Sequence, residues 1–171
     1  MQQRRLAALV VAIASVVVPV LLGGFTARAR PVGAATGSPP EACGLLRASD
    51  IARVLGQPAA KGTPGYAPGV CDWRLTATAT RPAGTINALV ERGRRARRSF
   101  ALAAEFHATE REPIPGLGRK AFFAPSLGTV WVLSDRSTVF YVQGVYPRGS
   151  TDPVSLRAAL IDLAEVARAR A

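Results

Sequence analysis

Two cysteines, one histidine and a run of five arginines are the residues in this 171-residue chain whose types and spacing could do chemistry. Cys43 and Cys71 stand 28 residues apart, without the C-x-x-C spacing that lowers a thiol pKa, so a redox dithiol is disfavoured. In an oxidising compartment the pair is expected to close into one disulfide, worth about 3–4 kcal/mol on a loop-closure model. Trp73 would share a strand face with Cys71 and pack beside it.

His107 is the single candidate for general base or metal ligand. One His and two Cys exclude most multi-ligand metal sites, and neither a metal nor another cofactor is expected. No G-x-S-x-G elbow presents a nucleophilic serine, although Glu105, Glu110 and Glu112 cluster near His107. A small envelope hydrolase using His107 with a nearby carboxylate or Ser is therefore one alternative. The plainer reading is a histidine at a helix end, where a cation suits the dipole, and solvated carboxylates around it.

Arg92, Arg94, Arg95, Arg97 and Arg98 put five cations into seven residues at the start of an expected helix, where they oppose the helix dipole. Their functional reading is an anionic partner such as an envelope polymer or lipid headgroup, drawn by a focused positive potential. Their plain reading is a solvated face in an arginine-biased chain, with 20 Arg to 2 Lys. Nucleic acid is not expected, because few aromatics interleave with the basic residues. Gly116-Leu117-Gly118-Arg119-Lys120-Ala121 matches the letters of G-x-G-x-x-A but precedes a strand, the reverse of the dinucleotide-binding context.

The compartment follows from the N-terminus. Arg4 and Arg5 precede residues 6–25, an uncharged run whose single polar side chain is Ser15, so residues 1–35 read as a signal peptide or an N-terminal signal anchor. Cleavage after Ala29, or near Ala34 or Ala35, suits small-residue preference; retention would make a single-pass membrane anchor. No Leu-small-small run precedes Cys43, so lipidation is not expected. Removing the segment leaves 18 basic against 11 acidic residues, a net +7. Residues 36–41 read as a linker and 42–171 as one domain.

Periodicity then supplies the elements that must hold these residues. Ser49 is an expected N-cap for a short helix with Ile51, Val54 and Leu55 on one face and Gly56 as its stop. Alternation places Cys71, Trp73 and Leu75 inward on a first strand over 70–80, and a second strand follows over 85–91. Ala96, Phe100, Ala103, Ala104 and His107 define one helix face over 94–109. Strands are expected over 120–124, 129–134 and 138–146, with a tight connection at Ser134 to Ser137. Thr151, Asp152 and Pro153 then open a last helix carrying Leu156, Leu160, Leu163, Ala164 and Ala167. The order α-β-β-α-β-β-β-α predicts an α+β fold, with an antiparallel sheet of about five strands and flanking helices.

Ala42-Cys43-Gly44-Leu45-Leu46, the helix end Val54-Leu55-Gly56, Cys71-Asp72-Trp73 and Ile114-Pro115-Gly116-Leu117-Gly118 with Ala121-Phe122 after it carry a resemblance. Together they resemble a family of actinobacterial secreted proteins and lipoproteins of unknown function, over about residues 41–170. The resemblance implies an extracytoplasmic domain with a small antiparallel sheet and flanking helices, and no catalytic set. This chain departs from it in lacking a lipobox before Cys43 and in carrying Arg119-Lys120 where the family pattern places an acid.

The leading expectation is a non-catalytic extracytoplasmic module, secreted or envelope-associated, that binds a ligand or an envelope protein through a surface or groove of the sheet and its loops. Electrostatic attachment to an anionic surface component through residues 92–98 is an alternative beside the hydrolase. A membrane contact is expected only if the N-terminal segment is retained.

Overall fold

The computed structural model describes residues 41–149 and 153–171. The expected export segment, nearly all of the expected linker and the expected Thr151-Asp152 cap lie outside the described residues.

A 3-10 turn at Glu41–Gly44 leads to helix α1 (Ala48–Leu55). The chain continues through β1 (Thr63–Pro64), β2 (Val70–Leu75), β3 (Gly84–Arg92), α2 (Arg94–Phe106), β4 (Glu112–Pro113) and β5 (Lys120–Ala124). A second 3-10 turn at Pro125–Leu127 precedes β6 (Thr129–Leu133), β7 (Thr138–Val145) and α3 (Pro153–Arg168). The α+β order matches the expectation, and every strand pair is antiparallel.

The sheet has seven strands in the order β1-β2-β3-β7-β6-β5-β4, not about five. The two additional strands are the edges, each two residues long and each carrying a proline, Pro64 or Pro113. Proline cannot donate to a ladder, so it suits an edge and discourages pairing with another chain. Such short strands have no alternation to betray them in the sequence. The helix start also differs: Arg47, not Ser49, is the N-cap of α1. The Arg47 amide donates to Asp50 Oδ2 at 2.9 Å, the returning half of a capping box, and this draws the helix start toward Arg47. Gly56 ends α1 in the left-handed conformation, φ 64°, as expected.

The long β3–β7 ladder joins the β2–β3 pair to the β5-β6-β7 meander. One sheet face buries Cys71, Trp73, Leu75, Ile86, Ala88, Phe123, Val132, Phe140 and Val142 against α1, the first 3-10 turn and the Leu156, Leu160, Leu163, Ala164, Ala167 stripe of α3. Trp73, Phe123 and Phe140 are almost wholly buried there, and truncating any one to Ala would cost about 3–5 kcal/mol. The opposite face carries a smaller core, in which Ala96, Phe100 and Ala104 of α2 cover Phe122, Ala124, Leu133 and Val139. Helix α2 covers only that part of the second face.

Candidate functional site

Register determines what lies on the rest of the second face. Asp72 pairs with Asn87, Asn87 with Gln143, and Gln143 with Thr129, giving a polar row across four strands. In the adjoining row Val70, Leu89, Tyr141 and Trp131 are partners in turn. The Trp131 and Tyr141 rings lie 4.9 Å apart, tilted by 55°. Gly65 of the β1–β2 loop presses its backbone onto the Asp72 carboxylate and the Val70 side chain, where a Cβ would collide. The sequence requires Gly there for that reason.

Three buried polar atoms among the described residues have no hydrogen-bond partner, and all three belong to these two rows: Asp72 Oδ1, Asn87 Oδ1 and Trp131 Nε1. Asn87 makes one long contact, donating from Nδ2 to Gln143 Oε1 at 3.5 Å. Gln57, also fully buried, is satisfied by contrast: it donates to the Thr76 and Pro82 carbonyls at 2.9 and 2.7 Å and accepts from the Tyr146 hydroxyl at 3.1 Å. An unpaired buried polar group costs about 1–3 kcal/mol, so three on one face of a sheet call for a physical reason. Burial raises the Asp72 carboxyl above its ordinary range, with the Arg74 charge opposing that shift in part. Burial, with the Tyr66 hydroxyl beside it, likewise raises the Tyr141 phenol.

The five exposed large apolar side chains among the described residues border the same surface. Tyr66, 75% exposed, meets the Tyr141 hydroxyl. The Leu127 carbonyl accepts Gln143 Nε2 at 3.1 Å, and Val145 shares a strand face with Tyr141 and Gln143. Leu102 and Phe106, the latter 80% exposed, follow Ser99 by three and seven residues and so share its side of α2. That side faces β3, because Ser99 Oγ donates to Glu91 Oε2 at 2.5 Å. The result is a surface with an aromatic and amide floor, bordered by α2 and the Tyr66 loop.

The arginine cluster spans the end of β3 and the start of α2. All five side chains are exposed. Arg92 ends β3 and pairs with Glu41 at 2.5 Å, with a weaker contact to Thr138 Oγ1 at 3.4 Å. Arg94, Arg95, Arg97 and Arg98 occupy the opening turns of α2, which starts on Gly93 without a side-chain cap or an acid in its first turn. Arg97 also lines a groove of about 1020 Å³ between α2 and the β4–β5 edge.

His107 is buried at the C-terminus of α2, where its amide donates to Ala103 O at 3.1 Å. Its Nδ1 lies 2.6 Å from Glu110 Oε1, and Ser126 donates to Glu110 through both Oγ, at 2.5 Å, and its amide, at 3.1 Å. The Ser126 hydroxyl and then the His107 ring hold the Glu110 carboxyl below its usual range. Here the carboxylate lies between the serine and the histidine, whereas a Ser-His-acid triad places the imidazole between the serine and the acid. The trio clasps the end of α2 to the β5–β6 connection. The other two acids do not converge on it: Glu112 pairs with Arg157 at 2.8 Å and Glu105 lines the groove.

Cys43 and Cys71 form the expected disulfide, with Cα atoms 5.1 Å apart. It ties the first 3-10 turn, rather than α1, to β2, beside Trp73. A disulfide suggests an oxidising, extracytoplasmic setting, and among the described residues no helix is long and apolar enough to cross a membrane. Gly116 and Gly118 form a turn into β5, and no nucleotide-binding helix follows them.

Sequence reasoning did not single out this surface, because polar residues such as Asp72, Asn87 and Gln143 are ordinary in a strand with one solvated face. No protein-family model, curated protein or solved structure matches the chain.

Proposed function

We propose that this protein is a non-catalytic binding module of the extracytoplasmic space, exported or anchored by residues 1–35, that captures an envelope ligand or partner on the part of the second sheet face that lies outside α2. The observation that carries this reading is the convergence of three partnerless buried polar atoms and five exposed apolar side chains on one surface. Binding would cover the exposed apolar side chains, and a shift of the side chains over the partnerless atoms would let a ligand pair with them. The apolar border with a polar floor resembles a ligand site more than a solvated face. Resemblance to actinobacterial secreted proteins and lipoproteins, and the disulfide, support the compartment.

The test is a photo-crosslinking residue placed in the full chain in its native cells, at position 66, 106 or 145 of this surface and at the exposed position 136 in the β6–β7 turn. Crosslinked adducts specific to the first three positions are expected. Adducts formed equally at position 136, or at none of the three, would overturn the assignment. Intact mass from culture supernatant and washed membranes, before and after reduction and alkylation, tests export, anchoring and the disulfide together.

A further inference from the structure

We infer a second binding site, separate from the sheet surface: the groove between α2 and the β4–β5 edge takes one single-chain amphiphile with an anionic head. The groove holds about 1020 Å³, at the upper end of small-molecule sites. Phe100, Ala104, Ile114 and Phe122 give it an apolar floor suited to an acyl chain. On its α2 side Ala101 and Ala104, with Ala108 in the turn that follows, leave room between the long side chains of Arg97 and Glu105.

The rim sets the sign of the head group. Arg97 stands on α2, and Arg111 and Lys120 stand at the opposite end and wall, against a single acid, Glu105. Arg111 is oriented by donating to the Ala104 carbonyl at 3.0 Å. Arg97 and Lys120 are exposed and have no ion-pair partner among the described residues. An anionic head between these cations would gain charge-assisted hydrogen bonds while its chain left water along the floor. This also accounts for the cation at Arg97, near the start of α2, where it weakens the helix in the free protein. An anion beside Arg97 reverses that sign locally. A neutral amphiphile gains only the apolar part, and a cationic one is repelled.

The test measures equilibrium binding of laurate and of 1-dodecanol to the full chain below their aggregation limits, at low and high salt. Two variants accompany the native chain: Ala101→Trp, which fills the groove from an exposed helix position, and the charge reversal Arg97→Glu/Lys120→Glu. The expected result is one saturable laurate site per chain and dodecanol binding at least tenfold weaker. Laurate binding should be lost in Ala101→Trp and weakened at least tenfold by the charge reversal or by high salt. Any affinity of residues 6–25 for acyl chains is common to all three proteins and drops out of the comparison. Laurate binding equal in native chain and folded Ala101→Trp, or dodecanol binding as tight as laurate, would overturn the inference. Should Ala101→Trp fail to fold by circular dichroism, the exposed charge reversal decides alone, and laurate affinity unchanged by it would be fatal. Arginine-dependent sedimentation with phosphatidylglycerol vesicles without laurate binding would also overturn the groove site, in favour of attachment to a membrane surface.

Discussion

Asp72 on β2 and Asn87 on β3 are direct cross-strand partners, and each holds a buried side-chain oxygen to which nothing donates. Two acceptors thus lie side by side, with the partnerless Trp131 Nε1 donor one row away. Folding alone leaves them unpaired. Asn87→Leu removes one oxygen at the cost of the long Gln143 contact, and should raise stability by about 1 kcal/mol. It should at the same time reduce crosslinking from positions 66 and 145. Urea unfolding provides the check: a loss of more than about 1 kcal/mol would mean that Asn87 is satisfied in the free protein.

Asp72 adds a pH signature of definite sign. Burial raises its carboxyl from the ordinary value of 3.8, so between that value and the raised one the folded state holds more protons than the unfolded chain. Stability therefore falls as pH rises through that window, and the penalty persists at pH 7. Asp72→Asn should unfold at a higher denaturant concentration than the native chain at pH 7. The difference should vanish at pH values below 3.8. A variant weaker than the native chain at pH 7 would show instead that the charge is paired.

Glu110 has the opposite sign. Ser126 and His107 hold its folded carboxyl below the ordinary 4.5, so its contribution is complete above that value and is lost as pH falls through the lowered one. Glu110→Gln should cost about 1–2 kcal/mol at pH 7, the scale of hydrogen bonds to a charged group. The cost should shrink in acid. Thermal melts of both proteins from pH 7 down to pH 3 measure this, and a deficit independent of pH would indicate a packing effect.

How much of this was legible beforehand differs from element to element. The α3 stripe of Leu156, Leu160, Leu163, Ala164 and Ala167 could be read from sequence because a helix buries a face at fixed spacing. Cys71, Trp73 and Leu75 could be read from strand alternation in the same way. Thr63–Pro64 and Glu112–Pro113 could not, since two residues show no period. The polar row of the second sheet face was hidden for a different reason. Asn87 and Gln143 are 56 residues apart, and only the β3–β7 ladder makes them neighbours. Likewise Arg97 was visible as a cation, while the groove beside it depends on how α2 lies over β6 and β7, short of the β4–β5 edge.

The disulfide closes a 28-residue separation between the first 3-10 turn and β2. Restricting the unfolded chain over that loop is worth about 3–4 kcal/mol. Replacing both Cys43 and Cys71 by Ala should lower the unfolding free energy by about that much. Its effect on crosslinking should be small wherever the fold persists, because Cys71 lies on the opposite sheet face, in the larger core. Denaturation of the native chain with and without reductant should reproduce the same difference.

Arg95 and Arg97 separate the two consequences of placing cations at the start of α2. Both oppose the helix dipole, so Arg95→Glu or Arg97→Glu should each stabilise the fold by about 0.5 kcal/mol. Only Arg97 lines the groove; Arg95, four residues before Ser99, belongs to the opposite flank of the helix. Arg95→Glu should therefore raise the thermal midpoint and leave laurate affinity close to native. Arg97→Glu should raise the midpoint and weaken laurate. Thermal melts and laurate titrations of the two single variants decide the matter. Equal losses of laurate affinity would indicate a diffuse positive field, whereas a loss confined to Arg97→Glu assigns the effect to the groove rim.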